Sequence, residues 1–367
     1  MSWLEIDLEA VRHNHRLLCG LLRPPARMFP VVKADAYGHG AVEVARALEK
    51  EESTMMCVAR VEEALELRRT GITTPLMVFT PPLPPQADAV IAANASISVC
   101  AREHIEALAS ASLKNGRKIR VHLKVDIGMG RLGVQPESAV EMARSIIAMP
   151  QLELEGVMSH LPCADMRSRP MTLGQIKTFK AVCESIASAG ISVKYFHTAN
   201  SSATMDYPEA HFDAVRCGIA LYGQYPNAEV EKRLALKPAM SMKTRIVYLK
   251  NVPPGTALSY GHTHITSRVS QIATIALGYA DGYPRHASNK TVMMVRGRPA
   301  AVVGRVCMDQ TLLDVTGIPD VSIGDEVLAF GVSNYAVLPA ETVASAIGTI
   351  GYEMTTRVGK RLPRFYI

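Results

Sequence analysis

Eight short apolar, β-branched runs recur between residues 28 and 219 of this 367-residue chain, most of them separated by amphipathic helical stretches. They cover residues 28–33, 54–59, 75–80, 97–100, 119–126, 152–160, 193–200 and 214–219. Each is too short for a helix and reads as a buried strand. The helical pattern is clearest over residues 61–71 and 175–190, and both stretches close on a glycine in the stop position. Eight strands alternating with helices predict an α/β fold, a closed (β/α)8 TIM barrel, with an open doubly wound sheet as the alternative. No G-x-G-x-x-G string follows the first strand, which argues against dinucleotide binding.

The flanks of this region read differently. Trp3 to Ile6 is a short strand candidate, and Asp7 is placed to cap a helix running to about Leu22. Residues 224–236 are polar, with Pro226 and a charged run, and read as a linker. From Met240 onward, strand patterns cover residues 244–250, 256–260, 269–277, 291–295, 300–306 and 325–330, and one helix covers 339–351. The expected organisation is a barrel domain over residues 1–230 and a mostly β-strand domain over residues 231–367.

Barrels of this kind carry their reacting groups at the C-terminal ends of the strands. Those ends hold Lys33, then Lys124 and Asp126 followed by Arg131, then His160, Asn200 with Ser201, and Arg216. This set has lysine, arginine, histidine and small polar groups but no carboxylate pair, which suits holding an anion and moving a proton and suits glycoside hydrolysis badly. Lys33 sits among apolar neighbours, where desolvation favours the neutral amine that Schiff-base chemistry needs. Asn200-Ser201-Ser202 and Arg216-Cys217-Gly218-Ile219 follow strands 7 and 8, where such barrels tend to bind phosphate. A lysine on strand 1 with a phosphate cup on strands 7 and 8 describes a barrel that holds pyridoxal 5'-phosphate (PLP). Arginine has no acceptor for a pyridine proton, so Arg216 beside that ring would leave it a weaker electron sink.

Bulk properties exclude other classes. The net charge of +6 is spread thinly, with no basic block, so nucleic acid is not an expected partner. No segment approaches the length of apolar residues needed to span a membrane. The seven cysteines are scattered without a C-x-x-C, and the N-terminus carries acids where a secretory signal carries bases. A cytoplasmic protein with reduced thiols is expected. His262 and His264 alternate on a strand candidate, but no carboxylate or cysteine completes a metal site.

The strings V-V-K-A-D-A-Y-G-H-G, K-V-D-I-G-M-G-R-L-G, H-T-A-N-S-S, R-C-G-I-A-L-Y-G, S-Y-G-H-T, G-Y-A-D-G-Y, C-M-D-Q and I-G-Y-E occur across nearly the whole chain. Together they resemble the alanine racemase family. The resemblance implies PLP on Lys33, phosphate contacts from Tyr37, Ser201, Gly218, Ile219 and Tyr352, and Asn200 orienting the neighbourhood. It places Arg216 at the pyridine nitrogen with His160 linked to it, and Arg131 by the phenolic oxygen and the substrate carboxylate. Lys124 matches a lysine that is carbamylated in family members. Met308 would offer its backbone N–H to the substrate carboxylate, and Tyr279 would line the entrance.

Racemisation removes a Cα proton from one face and returns it on the other, which two opposed bases achieve. Lys33 is one and Tyr260 the other, the latter needing nearby positive charge to stabilise its phenolate. Tyr260, Tyr279 and Met308 are expected to come from the partner subunit of a homodimer with shared sites, supplying D-alanine for peptidoglycan. Cys217 and Gly351 depart from the family pattern and are expected to loosen the phosphate side, as Ile127 and Leu161 depart without removing a reacting group. Alternatives are a serine or broad-specificity racemase, an amino-acid decarboxylase of the same architecture, and a PLP carrier protein; Arg216 and the second domain argue against the last two.

Overall fold

The structure is a computed structural model that describes residues 1–51, 53–166, 169–227 and 234–367. The chain opens with strand β1 (Trp3–Ile6) and helix α1 (Leu8–Cys19), whose first turn is capped by Asp7 accepting from the Ala10 N–H at 2.8 Å. Eight parallel strands follow: β2 (Arg27–Met28), β3 (Met56–Val58), β4 (Leu76–Val78), β5 (Ala95–Val99), β6 (Ile119–Lys124), β7 (Leu152–Met158), β8 (Tyr195–His197) and β9 (Ala214–Val215). Six fall within the apolar runs, while β2 and β5 begin one and two residues ahead of theirs. Their order is β2-β9-β8-β7-β6-β5-β4-β3. A parallel bridge between Val31 and Cys57, with Val32 N donating to Cys57 O at 2.8 Å, joins the two ends and closes the barrel.

The second domain is built from β10 (Met240–Val252), the small hairpin β11 (Ala257–Leu258) and β12 (His264–Ile265), then β13 (Ser270–Ile275), β14 (Val292–Val295), β15 (Arg298–Val302), β16 (Thr311–Asp314), β17 (Glu326–Val332), β18 (Val337–Leu338) and β19 (Arg364–Tyr366). The run β17-β14-β15-β16-β13-β10 is closed by a further antiparallel pairing of β17 with β10, so six strands form a second, antiparallel barrel. β16, β18 and β19, of two to four residues, have no counterpart in the sequence reading.

Three expectations change. β1 leaves the barrel domain read as residues 1–230: it pairs antiparallel with β10 and parallel with β19, and buries Leu4 and Ile6 in the second core. Burial of each such side chain contributes about 1.5–3 kcal/mol, so a four-residue strand is held by a partner that its own pattern cannot name. The helix read over 339–351 ends at Ala346, ahead of Gly348 with φ +76°, and a second helix, Gly351–Thr356, starts at the end of the read span. His262 lies in a turn and only His264 is on a strand, so the two histidines do not alternate. Linker residues 228–233, and with them the expected boundary at 230/231, lie outside the described residues. Among the described residues, no helix is long and apolar enough to cross a membrane.

The turn after β2 positions the site. Beyond Lys33 the backbone turns left-handed through Ala34, Asp35, Ala36 and Tyr37, with φ from 52° to 55°. This conformation costs roughly 1–2 kcal/mol per residue outside glycine, so neighbours must hold it. Glu63 accepts from Ala34 N at 2.7 Å through one oxygen and from Ala59 N and Arg60 N at 2.7 and 3.0 Å through the other. From the second domain, Arg364 donates to Gly38 O at 3.1 Å and lies 3.5 Å from the Asp35 carboxylate. Gly38 has φ +86°, and a Cβ there would sit 2.1 Å from Thr355 O, so only glycine lets the helix Gly351–Thr356 reach this turn. Glu63→Ala removes the acceptor for three N–H groups and is expected to destabilise the chain by about 2 kcal/mol. A thermal melt unchanged from wild type would count against Glu63 as the anchor of the turn.

Candidate active site

A cavity of about 430 Å³ opens at the C-terminal end of the first barrel. Of the residues singled out from the sequence, it is lined by Lys33, Tyr37, Lys124, Arg131, His160, Asn200, Ser201, Arg216, Gly218, Ile219 and Tyr352. Strand ends as far apart as Lys33 and Arg216, 183 positions, thus meet in one place, as barrel closure requires. The lining has four cationic side chains, Lys33, Lys124, Arg131 and Arg216, and among the described residues no aspartate or glutamate.

That imbalance adds to burial in shifting the titrating groups. Burial pushes the Lys33 ammonium below its ordinary range, and Arg131 and Arg216 add to this against the opposing pull of Glu63. Burial pushes Lys124 well below the lysine range, reinforced by Arg216 and Arg131. Asp126, which opposes that shift, commits its carboxylate to the N–H groups of Gly128, Met129 and Gly130 at 2.8–3.1 Å, shaping the loop that carries Arg131. His160 is pushed well down by burial and then by Arg216, Lys124, Arg131 and Lys33, so it is neutral. Burial lowers Arg216 to about 10, which leaves it charged at neutral pH.

Arg216 is 4% exposed and held on several sides. It donates to Ser159 O at 2.6 Å, Thr198 O at 3.1 Å and His197 Nδ1 at 2.8 Å, with His160 Nδ1 at 3.5 Å. Its guanidinium carbon lies 6.0 Å from the Phe79 ring centroid. Asn200 caps the short helix Ser201–Asp206, accepting from Ala203 N at 3.0 Å while donating to Leu161 O at 3.0 Å. Ser201 Oγ accepts from Gly218 N at 3.0 Å and Ala220 N at 3.4 Å, so these donors and this hydroxyl converge on one spot. Tyr37 and Tyr352 stand beside it with ring centroids 6.0 Å apart, and burial raises both phenols.

The expected slack on this side is not there. Cys217 is fully buried and donates to Thr204 Oγ1 at 3.3 Å. A Cβ on Gly351 would sit 2.3 Å from Gln224 Oε1, so the space a bulkier residue would fill is taken by a buried glutamine.

Tyr260, Tyr279 and Met308 do not line the cavity of their own chain. They are exposed on the second domain, at 71%, 40% and 53%. Their loops are tied together: Tyr279 N and Ala280 N donate to Cys307 O and Met308 O at 3.0 Å, and Ser259 Oγ donates to Arg305 O at 2.6 Å. Ser259 takes φ 60° with ψ −176°, a conformation nearly confined to glycine, so the turn presenting Tyr260 is strained.

Sequence reasoning missed Glu63, the apolar wall of Ala59, Phe79, Thr80, Met129, Leu132 and Met158, and the buried polar partners of Arg216. A signal for the last was present, since His122, Glu155 and His197 interrupt strands that are otherwise apolar.

Comparison with known proteins agrees with this geometry. A family model described as the N-terminal domain of alanine racemase matches residues 6–226, and one described as its C-terminal domain matches residues 239–366. The alanine racemase of Desulfosudis oleivorans is 43% identical over 375 residues, covering 100% of this chain and 96% of that protein. That of Desulforamulus reducens is 43% identical over 367 residues, covering 100% and 98%. Among solved structures, an alanine racemase of Clostridium difficile 630 superposes with TM-score 0.94 at 37% identity, covering 100% of this chain and 95% of that one. The enzyme from D-cycloserine-producing Streptomyces lavendulae gives 0.94 at 37%, covering 100% and 97%. The chain belongs to the alanine racemase family of isomerases.

Proposed function

We propose that this enzyme interconverts L- and D-alanine with PLP held in the barrel cavity, Lys33 and Tyr260 acting as opposed bases. The observation that carries the reading is the cavity lined by four cations and no carboxylate around a lysine biased toward its neutral form. Such a site is completed by anions, and a phosphorylated cofactor with an amino-acid carboxylate supplies them. The donors present suit that cofactor: Ser201, the N–H groups of Gly218 and Ile219, Tyr37 and Tyr352 for phosphate, and Lys33 for its aldehyde. When bound, PLP supplies the electron sink that makes a Cα proton removable.

The remaining roles belong to side chains. Arg216 would face the ring nitrogen as a donor and so leave it unprotonated. His160, neutral beside Arg216, links that group toward the second base. Asn200 fixes the loop that carries Ser201. Arg131 orients the substrate carboxylate. Lys124, buried and shifted toward its neutral amine, is suited to carbamylation: the amine nitrogen bonds to the carbon of carbon dioxide, a proton leaves, and the new anion braces Arg131. Tyr352 narrows the pocket toward alanine in preference to serine.

Tyr260, Tyr279 and the Met308 N–H enter from the partner subunit of a homodimer, the domain of residues 231–367 contributing to the partner's site. Support comes from the exposure of all three on one face, away from their own cavity. A cytoplasmic source of D-alanine for peptidoglycan is the role this reaction would serve.

Lys33→Ala is expected to abolish the cofactor's visible absorbance band and racemisation together; a persisting band removes Lys33 from its role. Tyr260→Phe is expected to slow α-hydrogen exchange of L-alanine in heavy water by about a hundredfold or more, and that of D-alanine less. Equal losses for the two enantiomers would argue against opposed bases. Mixing Lys33→Ala chains with Tyr260→Phe chains is expected to restore part of the activity, since one site of each mixed dimer is then intact. No recovery, with mixed dimers verified, would assign both bases to one chain.

A further inference from the structure

Arg216 is connected to the interior of the barrel by a run of buried side chains that the reaction above does not use. His197 Nε2 lies 2.8 Å from His122 Nδ1, and His122 Nε2 lies 3.1 Å from Glu155 Oε2, which also accepts from Ser96 Oγ. None of Ser96, His122, Glu155 and His197 is more than 5% exposed.

The end members fix where the protons are. Arginine has only donors, so His197 Nδ1 accepts from it at 2.8 Å. A neutral imidazole with a bare Nδ1 carries its proton on Nε2, and His197 therefore donates to His122 Nδ1. By the same logic His122 carries its proton on Nε2 and donates to Glu155. The opposite polarity sets a His197 Nδ1–H against an Arg216 N–H. An imidazolium at His122 sets its Nδ1–H against the His197 Nε2–H. Both histidines are thus neutral and in the same tautomer, between a guanidinium and a carboxylate. Burial pushes both histidines down, His197 well below its ordinary range. Burial also pushes the Glu155 carboxyl up, but its hydrogen bonds from His122 and Ser96 and the charge of Arg120 pull it below the usual carboxylate range.

The surrounding strands are shaped for this run. β6 and β7 pair Val121 with Leu154 and then His122 with Gly156, so Glu155 is the extra residue of a bulge, a device that re-aims a side chain. A Cβ on Gly156 would lie 2.2 Å from His122 Nδ1, so the imidazole occupies the place of that side chain. Tyr195 lies nearly parallel to the His122 ring at 13° with centroids 6.5 Å apart, and Phe29 meets His197 edge-on at 5.6 Å. Taking a carboxylate out of water costs several kcal/mol, and apolar packing would fill a barrel at lower cost.

We infer that Glu155, His122 and His197 are positioning residues for racemisation: they fix the plane of the Arg216 guanidinium and the side of His197 that it meets. The inference rests on the reading of Arg216 as the group facing the ring nitrogen. Without Glu155 and His122, nothing in the run holds His197 in the tautomer that Arg216 requires.

The test is a long-range proton–nitrogen NMR spectrum of the full, cofactor-loaded chain carrying nitrogen-15 histidine. Both residues are expected to be neutral with the proton on Nε2 from about pH 6 to about pH 9. An imidazolium at either residue, or an Nδ1–H at His197, overturns the inference. His122→Phe is expected to lose about tenfold in kcat with KM little changed, and His122→Asn, whose Oδ1 stands near the lost Nδ1, to regain most of it. Equal losses in the two variants, or none in the first, also overturn it. If His122→Phe does not fold, the wild-type spectrum decides. That spectrum is independent of turnover, so a chain without racemase activity would sink the proposed function and still report on the run.

Discussion

Arg216 has its guanidinium buried at the base of the cavity and committed to two backbone carbonyls and a histidine. Arg131 and the amines of Lys33 and Lys124 stand in the same cavity, and among the described residues no acid balances them there. Much of the site's chemistry stems from this uncompensated field. Burial first, and this field after it, keep His160 neutral and shift Lys33 and Lys124 toward their free amines, and the field makes the cavity a place where anions bind. Arg216 can persist there because three of its N–H donors meet buried acceptors and because a carboxylate stands beyond two neutral imidazoles. A buried charge left without such partners would cost several kcal/mol.

The position of Lys33 depends on a second constraint, which is mechanical. The four left-handed residues behind it are unfavourable by themselves, and they are held from two directions. Glu63 ties the turn to the neighbouring strand end, and Arg364 with the helix Gly351–Thr356 closes on it from the second domain. That helix also brings Tyr352 into the cavity. The second domain therefore does two things at once: it braces its own chain's lysine and presents Tyr260 outward, away from it.

Most of the site was readable from strand-end positions, because a parallel barrel collects those positions by its topology. Lys33, Lys124, His160, Ser201 and Arg216 needed no more than a correct strand count. The residues that support them were harder. Glu63 looked like one acid among several on an amphipathic helix, and its value lies in three N–H groups that only the folded turn aims at it. His122, Glu155 and His197 were visible as polar interruptions, yet a single-residue bulge decides that they touch. The supposed slack at Gly351 disappeared because Gln224, remote in sequence, fills it.

The alternation of apolar runs with amphipathic helices was enough to establish the parallel barrel, since burial on both faces of a strand leaves a continuous apolar mark. The motifs along it were enough to name many of the side chains that line the cavity. The fold itself decided matters of partnership: that β1 belongs with β10 and β19, that six later strands close into a second barrel, and that Tyr260, Tyr279 and Met308 share one face outside their own cavity. Local sequence carries the period and polarity of a segment. Which distant segment it meets is set by register, bulges and close approaches of backbone, and these exist only once the chain is packed.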